Sequence, residues 1–205
     1  MDKTFNLKEY DERYYKWHRD NTRKYIIKTM DWFIDNYKPN SVIDYGCGIG
    51  VYLESSLNKG ITKIKGFDIG GEYVKKYTEK SIQPFIEYLD CTKPINTEKY
   101  ECVISLETGE HIETKYSEQF IKNIVNSTQK KGIIIYSAAQ PGQPGTGHIN
   151  CQPKEFWIKI FNSFNFFVDE KLTNEVSSNW SSLGAPNYIT NNLIILKNNE
   201  ENIFS

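Results

Sequence analysis

Short apolar runs alternate with stretches of helical periodicity along most of this chain, and that alternation constrains its fold more than any other feature. "SVIDYGCGIG", "ITKIKGFDIG", "PFIEYLD", "YECVISLE" and "GIIIYSAA" read as strands. Between them "VYLESSLNKG", "GEYVKKYTEK" and "YSEQFIKNIVNST" read as helices, the last with Phe120, Ile121, Ile124 and Val125 inward. Strands joined through helices need crossover connections, which predicts a mostly parallel sheet covered on both faces. Further on, "PKEFWIKIFNSF" starts a helix at Pro153 and turns Phe156, Trp157, Ile160 and Phe161 inward. Two last strand candidates, "FFVDEKL" and "NLIILKN", flank a polar stretch around Trp180 and predict an antiparallel final pair with a long connection.

The N-terminal part is of another kind. "RDNTRKYIIKTMDWFIDNYKPN" carries Ile26, Met30, Phe33, Ile34 and Tyr37 at helical spacing, with Asp20 or Asn21 as the expected cap and Pro39 as the stop. "FNLKEYDERYYKWH" before it is an aromatic and charged arm, expected to be helical in part. Residues 1–38 therefore read as a helical arm or lid, and 39–205 as the α/β domain.

Composition narrows the partners. With 39% apolar and 25% charged residues the chain can bury a core. The net charge of −1 comes without a basic block, so nucleic acid is not the favoured partner. No apolar run approaches twenty residues and no signal-like N-terminus is seen, which predicts no membrane partner. Cys47, Cys91, Cys102 and Cys151 form no CxxC pair; they read as reduced thiols of a cytoplasmic protein.

"DYGCGIG" places Gly46, Gly48 and Gly50 directly after the first strand, where glycines let the backbone approach a ligand and turn into a helix. Asp68 ends the second strand, twenty residues after Gly48, in position to accept hydrogen bonds from ribose hydroxyls. NAD-binding proteins use the same device, but this loop lacks the two-residue gap of G-x-G-x-x-G. Asp44 lies at the end of the first strand, and Asp90 ends the third in "YLDCT". Acids at the ends of three successive strands, with G-x-G-x-G, resemble the class I S-adenosylmethionine-dependent methyltransferases over roughly residues 41–139 and the final strand pair. The resemblance implies a Rossmann-like fold with a seven-stranded, mostly parallel sheet, helices on both faces and an antiparallel C-terminal hairpin. It also implies S-adenosyl-L-methionine as cofactor. Its amino-acid end would meet the glycine loop, its ribose Asp68 and its adenine amine Asp90, with Ile69, Cys91 and Leu106 completing the cofactor-binding set beside Asp44.

"SLETGEHIE" follows the fourth strand. A helical turn starting there puts Glu107, Glu110 and His111, at i, i+3 and i+4, on one face. Two carboxylates held together repel unless a proton or a cation intervenes. With an imidazole beside them they suit a divalent cation, Mg²⁺ or Mn²⁺. The plain alternative makes the acid and histidine a wall of the cofactor pocket with no metal. E-x-x-E-H resembles the metal-binding motif of the ubiquinone-pathway O-methyltransferases and the small-RNA 3′-terminal ribose 2′-O-methyltransferases. In the RNA enzymes a further histidine after the fifth strand completes the site, which implies His148 of "GTGHIN" as fourth ligand. Their approach to that ligand is rich in histidine, whereas "PGQPGTGHINCQP" reads as flexible and nearly chargeless. That departure weakens an RNA substrate and leaves the metal.

A cation lowers the pKa of a bound hydroxyl, so metal assistance argues for O-methylation. The expected activity is methylation of a hydroxyl on a sugar or other small polyol-bearing molecule, such as a nucleotide sugar or glycan end. His148 and His111 are the candidate catalytic residues, with His148 able to serve as ligand or as base. Tyr14, Tyr15, Trp17, His18, Trp157 and Trp180 are candidates for a stacking pocket, with core packing as the alternative. Methylation of a terminal ribose of RNA or of a small phenol are the enzymatic alternatives. A cofactor-binding scaffold without catalysis is the rival from another class.

Overall fold

The computed structural model describes residues 11–198. The elements run α1 (Glu12–Tyr37), β1 (Ser41–Tyr45), α2 (Val51–Asn58), β2 (Lys63–Asp68), α3 (Glu72–Tyr77), β3 (Ile86–Tyr88), β4 (Tyr100–Leu106), α4 (Ser117–Asn126), β5 (Thr128–Ser137), α5 (Lys154–Ser163), β6 (Phe166–Val168), α6 (Glu170–Ser182), α7 (Asn187–Asn192) and β7 (Ile194–Asn198). They build one sheet of seven strands in the order β3-β2-β1-β4-β5-β7-β6. The first five run parallel; β7 is antiparallel to both β5 and β6.

Successive strand residues point to opposite faces, so each central strand feeds two cores. Val42, Cys102, Ile104, Ile135 and Ile195 pack with α1, α2, α6 and α7, whereas Ile43, Val103, Ile134, Ile194 and Leu196 pack with α4 and α5. Phe120, Ile121, Ile124 and Val125 are buried, as the spacing predicts. On α5, Trp157 and Phe161 are buried, and Phe156 and Ile160 pack partly buried beside them.

Three local expectations are corrected. The first helix does not start at Asp20 or Asn21. It runs unbroken from Glu12, with Asp11 accepting the Tyr14 N–H at 3.0 Å. Tyr15, Thr22 and Ile26 already belong to its buried stripe, Asp20 accepts from Arg19, and Asn21 Nδ2 donates to the Trp17 carbonyl. Lys38, left-handed at φ 49°, ends it ahead of Pro39. The part of the arm before residue 11 lies outside the described residues.

"FFVDEKL" is a strand only as far as Val168. Asp169 then caps α6, accepting the Leu172 N–H at 3.0 Å, because Leu172, Thr173, Val176 and Trp180 recur at helical spacing and bury one face. The polar stretch between the last strands is thus two helices, and Trp180 is wholly buried, stacked on Tyr52 at 6.3 Å. "PFIEYLD" yields a three-residue strand behind a 3-10 turn at Gln83–Phe85. None of the described helices is long and apolar enough to cross a membrane.

Candidate active site

The carboxyl ends of β1, β2, β4 and β5 open into a cleft of about 720 Å³ roofed by α1. Parallel α/β sheets bind ligands at this edge, where neighbouring strands send their connections to opposite faces.

After β1 the chain turns through Gly46, Gly48 and Gly50, all with positive φ. A Cβ on Gly46 would sit 2.3 Å from Thr108 Oγ1, so close packing on the β4 turn demands glycine there. A Cβ on Gly48 would meet nothing within 4 Å, and Gly48 lines the cleft: the space beside it is left to a ligand. Gly50 does not line the cleft; it starts α2 in the left-handed region, tight against Ile82 and Ile86.

Asp68, at the end of β2, accepts the Gly48 N–H and the Gly70 N–H, both at 2.8 Å, one on each carboxylate oxygen. Burial raises its pKa and these two bonds oppose the rise. Each oxygen keeps a lone pair for a further donor. Asp44, inside β1, is buried, and burial and the Asp68 charge push its carboxyl well up. Asp90 is exposed beyond the end of β3, with Oδ1 bound to Thr92. Ile69, Cys91 and Leu106 also line the cleft. The open cradle at Gly48, the acid facing it and the cleft volume fit a nucleoside cofactor.

β4 ends at Leu106, and Glu107 takes φ 51°, a left-handed conformation that costs a non-glycine residue roughly 1–2 kcal/mol. Its N–H and its Oε1 are both bonded to Ser137 at the end of β5. A 3-10 turn at Gly109–His111 follows. Gly109 is obligatory there, since a Cβ would fall 2.2 Å from the Tyr136 hydroxyl and 3.0 Å from the Trp157 ring. The turn delivers Glu110, wholly buried, and His111 into the cleft.

His148 arrives on the loop after β5, and that loop is pinned, against the expectation of a flexible one. Ile149 and Asn150 donate their N–H groups to the Glu110 carbonyl at 2.9 Å. The buried Asn150 side chain bonds Thr114, Ser117 and Gln152. Nothing in the residue pattern singled out Asn150 or Gly109; a buried Asn beside a candidate ligand, and a glycine between two acids, were the available signals.

Three side chains meet at one point. Glu110 Oε1 lies 3.8 Å from His148 Nε2 and 4.0 Å from His111 Nε2, and the two rings stand 5.1 Å apart. Each imidazole turns Nδ1 to a backbone carbonyl, His111 to Gly147 at 3.0 Å and His148 to Gln143 at 3.3 Å. Nδ1 is therefore the protonated nitrogen, and both Nε2 lone pairs face the carboxylate. Burial drives the His111 pKa down to about 4 and lowers that of His148, so both rings are neutral near pH 7. Burial and the Glu107 charge push Glu110 up to about 8. Neither Glu110 oxygen meets a well-formed hydrogen bond, and two carboxyl groups bond each other only through a shared proton. A buried carboxylate with two lone pairs aimed at it lacks a positive charge, and a divalent cation fits that want.

Glu107 does not join that cluster. It lines the cleft beside Glu110, bonded to Ser137 and Asn192, and Asn192 in turn reaches Gln143, whose carbonyl holds His148. Trp157 and Trp180, candidates for a stacking pocket, are core residues at 1% and 0% exposure and line no part of the cleft. Tyr14, Tyr15, Trp17 and His18 do line it, from α1. His18 Nδ1 faces Thr22 Oγ1 at 3.0 Å, and burial keeps the ring neutral by lowering its pKa.

Residues 43–136, from β1 to the end of β5, match a family described as a methyltransferase domain. The protein is an S-adenosylmethionine-dependent methyltransferase. No curated protein matches the methyltransferase by sequence. Solved structures resemble it. A sugar N-methyltransferase from Streptoalloteichus sp. is 11% identical with a TM-score of 0.66, over 89% of this chain and 90% of that one. A SAM-dependent methyltransferase from Archaeoglobus fulgidus is 18% identical, TM-score 0.63, over 90% and 99%. The O-methyltransferase of a trans-AT PKS multienzyme of Brevibacillus brevis, in complex with S-adenosyl-L-homocysteine, is 16% identical, TM-score 0.59, over 84% and 71%. At these identities the likeness establishes the class I fold of the methyltransferase.

Proposed function

We propose that this methyltransferase acts on a hydroxyl of a sugar or other small polyol-bearing molecule, with help from a divalent cation. The convergence of His111 Nε2, His148 Nε2 and Glu110 Oε1 carries the proposal. Glu110, His111 and His148 would hold the cation, and Glu107, Asn192 and Gln143 would position them. S-adenosylmethionine supplies an electrophilic methyl group. A bound divalent cation supplies a Lewis acid that makes a neutral hydroxyl more acidic.

The chain's own residues then do three things. Asp68 and the glycine loop fix the cofactor's ribose end. The carbonyls of Gly147 and Gln143 keep each imidazole in the tautomer that presents a lone pair. α1 closes over the cleft and limits water around the reacting atoms, where positioning contributes most of the acceleration of a displacement at carbon. A sugar acceptor has a second support: a sugar N-methyltransferase shares the architecture over nearly its whole length.

Calorimetric titration of Mn²⁺ and Mg²⁺ into EDTA-treated protein with S-adenosylhomocysteine bound tests this. One site per chain, lost in Glu110→Gln and in His148→Ala, supports it. No cation binding by the unmodified protein refutes the metal and reopens nitrogen and carbon acceptors.

A further inference from the structure

Three of the four exposed large apolar side chains among the described residues are gathered at one place. Trp17, Ile69, Phe167 and Tyr188 are those four, and all but Phe167 line the cleft. Apolar surface left in water forfeits about 25 cal/mol per Å², so its concentration in one concave site marks ligand contact. Ile69 follows Asp68 on the cofactor side. Tyr188, on α7, shares a hydrogen bond between phenols with Tyr25 of α1. Tyr14, Tyr25 and Tyr188 line the same cleft as the cofactor acid Asp68 and the Glu110 cluster, where an acceptor must lie.

The charge of the lining is one-sided. Asp44, Asp68, Asp90, Glu107, Glu110 and Glu113 line the cleft, and among the described residues that line it Lys93 is the single Lys or Arg. Glu113 is paired with Lys115, and Lys93 has its ammonium over the Tyr116 ring at 5.4 Å. Apart from the proposed cation, whose charge Glu110 and Glu107 offset, a phosphate would find no guanidinium to receive it and would have carboxylates as neighbours, an arrangement opposite to the usual one.

We propose that the acceptor site takes a non-phosphorylated, ring-bearing polyol, in the simplest case a neutral glycoside, laid against the wall formed by Tyr14, Tyr25 and Tyr188. It discriminates against nucleotides, sugar phosphates and RNA ends. The apolar face of a sugar ring packs on aromatic rings while its hydroxyls reach the polar tips of the same tyrosines. This inference rests on the O-methylation reading above and decides among the acceptors that reading leaves open.

The test is titration of protein loaded with Mn²⁺ and S-adenosylhomocysteine with matched probes: methyl hexosides against the hexose 1-phosphates, and adenosine against AMP. The neutral member is expected to bind at least tenfold tighter. Tyr188→Ala should weaken it fivefold or more and Tyr188→Phe much less, with S-adenosylhomocysteine affinity within twofold in both. Equal or tighter binding of the phosphorylated member, no binding of any neutral probe, or indifference to Tyr188→Ala would overturn the proposal. Repeating each titration after EDTA separates the two readings. A neutral preference that survives without any cation binding refutes the metal and leaves this inference standing. Normal cation binding with a preference for phosphate refutes this inference alone.

Discussion

A Cβ added to Gly145 would lie 2.1 Å from His148 Nε2, the nitrogen that faces Glu110. The glycine is the floor on which that imidazole rests. Gly145→Ala must displace the ring from its position facing Glu110, since the three nearest atoms to the added Cβ are all of His148. We expect cation affinity to fall about 10- to 100-fold, the range for losing a residue that orients a ligand. The thermal midpoint of the metal-free protein should barely move. Parallel calorimetric and thermal melts of the variant check both; a melt lowered by many degrees with intact cation binding would contradict the placement of His148.

The acid that carries the cluster makes metal-free stability pH-dependent. The folded-state pKa of Glu110 lies above its ordinary 4.5, at about 8, so the native state holds the extra proton between those values and stability falls as pH rises through them. His111 is depressed from 6.5 to about 4, so the unfolded state holds its extra proton there and stability rises with pH up to 6.5. The two oppose each other below pH 6.5, and Glu110 acts alone of the two above it. Denaturant melts in EDTA should show stability falling from pH 6.5 to 8, a smaller fall in Glu110→Gln, and a smaller fall with saturating Mn²⁺.

Asp68 ties the first glycine loop to the turn after β2 through Gly48 and Gly70. Asp68→Ala frees both N–H groups and removes the acceptor expected to meet the ribose. Hydrogen bonds to a charged group contribute about 1.5–3 kcal/mol. S-adenosylhomocysteine affinity should therefore drop at least tenfold. Asp68→Asn, which retains one oxygen, should lose less, as equilibrium binding would show.

Trp180, on α6, is wholly buried and lines no part of the cleft itself, though it stacks on Tyr52, which does. Trp180→Ala should destabilise by about 3–5 kcal/mol and leave the relative affinities for neutral and phosphorylated probes unchanged. Urea melts and the probe titrations give the two numbers.

What was legible in the sequence follows from how the information is stored. The strands, the two-faced sheet and the glycine loop rest on local periodicity and on glycines near acids, so Gly46, Gly48 and Asp68 could be placed from their neighbours in sequence. Glu110 and His111 were legible for the same reason, being one turn of chain. The helix that buries Trp180 was not legible, because polar residues around it hide a face that appears only at i, i+3 and i+4 after the Asp169 cap. Gly145, Asn150 and Asn192 were invisible, since each matters through a contact with a residue it does not adjoin. The grouping of Glu107 with Glu110 rests on helical spacing and on the resemblance of E-x-x-E-H to a metal-binding motif. The left-handed φ of Glu107, set by pairing with Ser137, breaks the helical geometry that spacing assumed.

That displacement of Glu107 gives a last prediction about the ion itself. Four ligands with two carboxylates would suit Mg²⁺ or Mn²⁺ about equally in chemical type. A cluster of Glu110, His111 and His148 has two imidazole nitrogens and one carboxylate, and imidazole favours the later first-row ions over Mg²⁺. Mn²⁺ should therefore bind at least tenfold tighter than Mg²⁺, with Co²⁺ tighter still along the same series. Glu110→Gln should abolish binding of either ion over the measurable range. Glu107→Gln should cost less than the full loss, on the order of tenfold, because Glu107 orients and repels Glu110 without donating to the ion. If Glu107→Gln instead abolishes binding as completely as Glu110→Gln, and Mg²⁺ matches Mn²⁺, Glu107 turns inward when the ion enters and the four-ligand site is the working one.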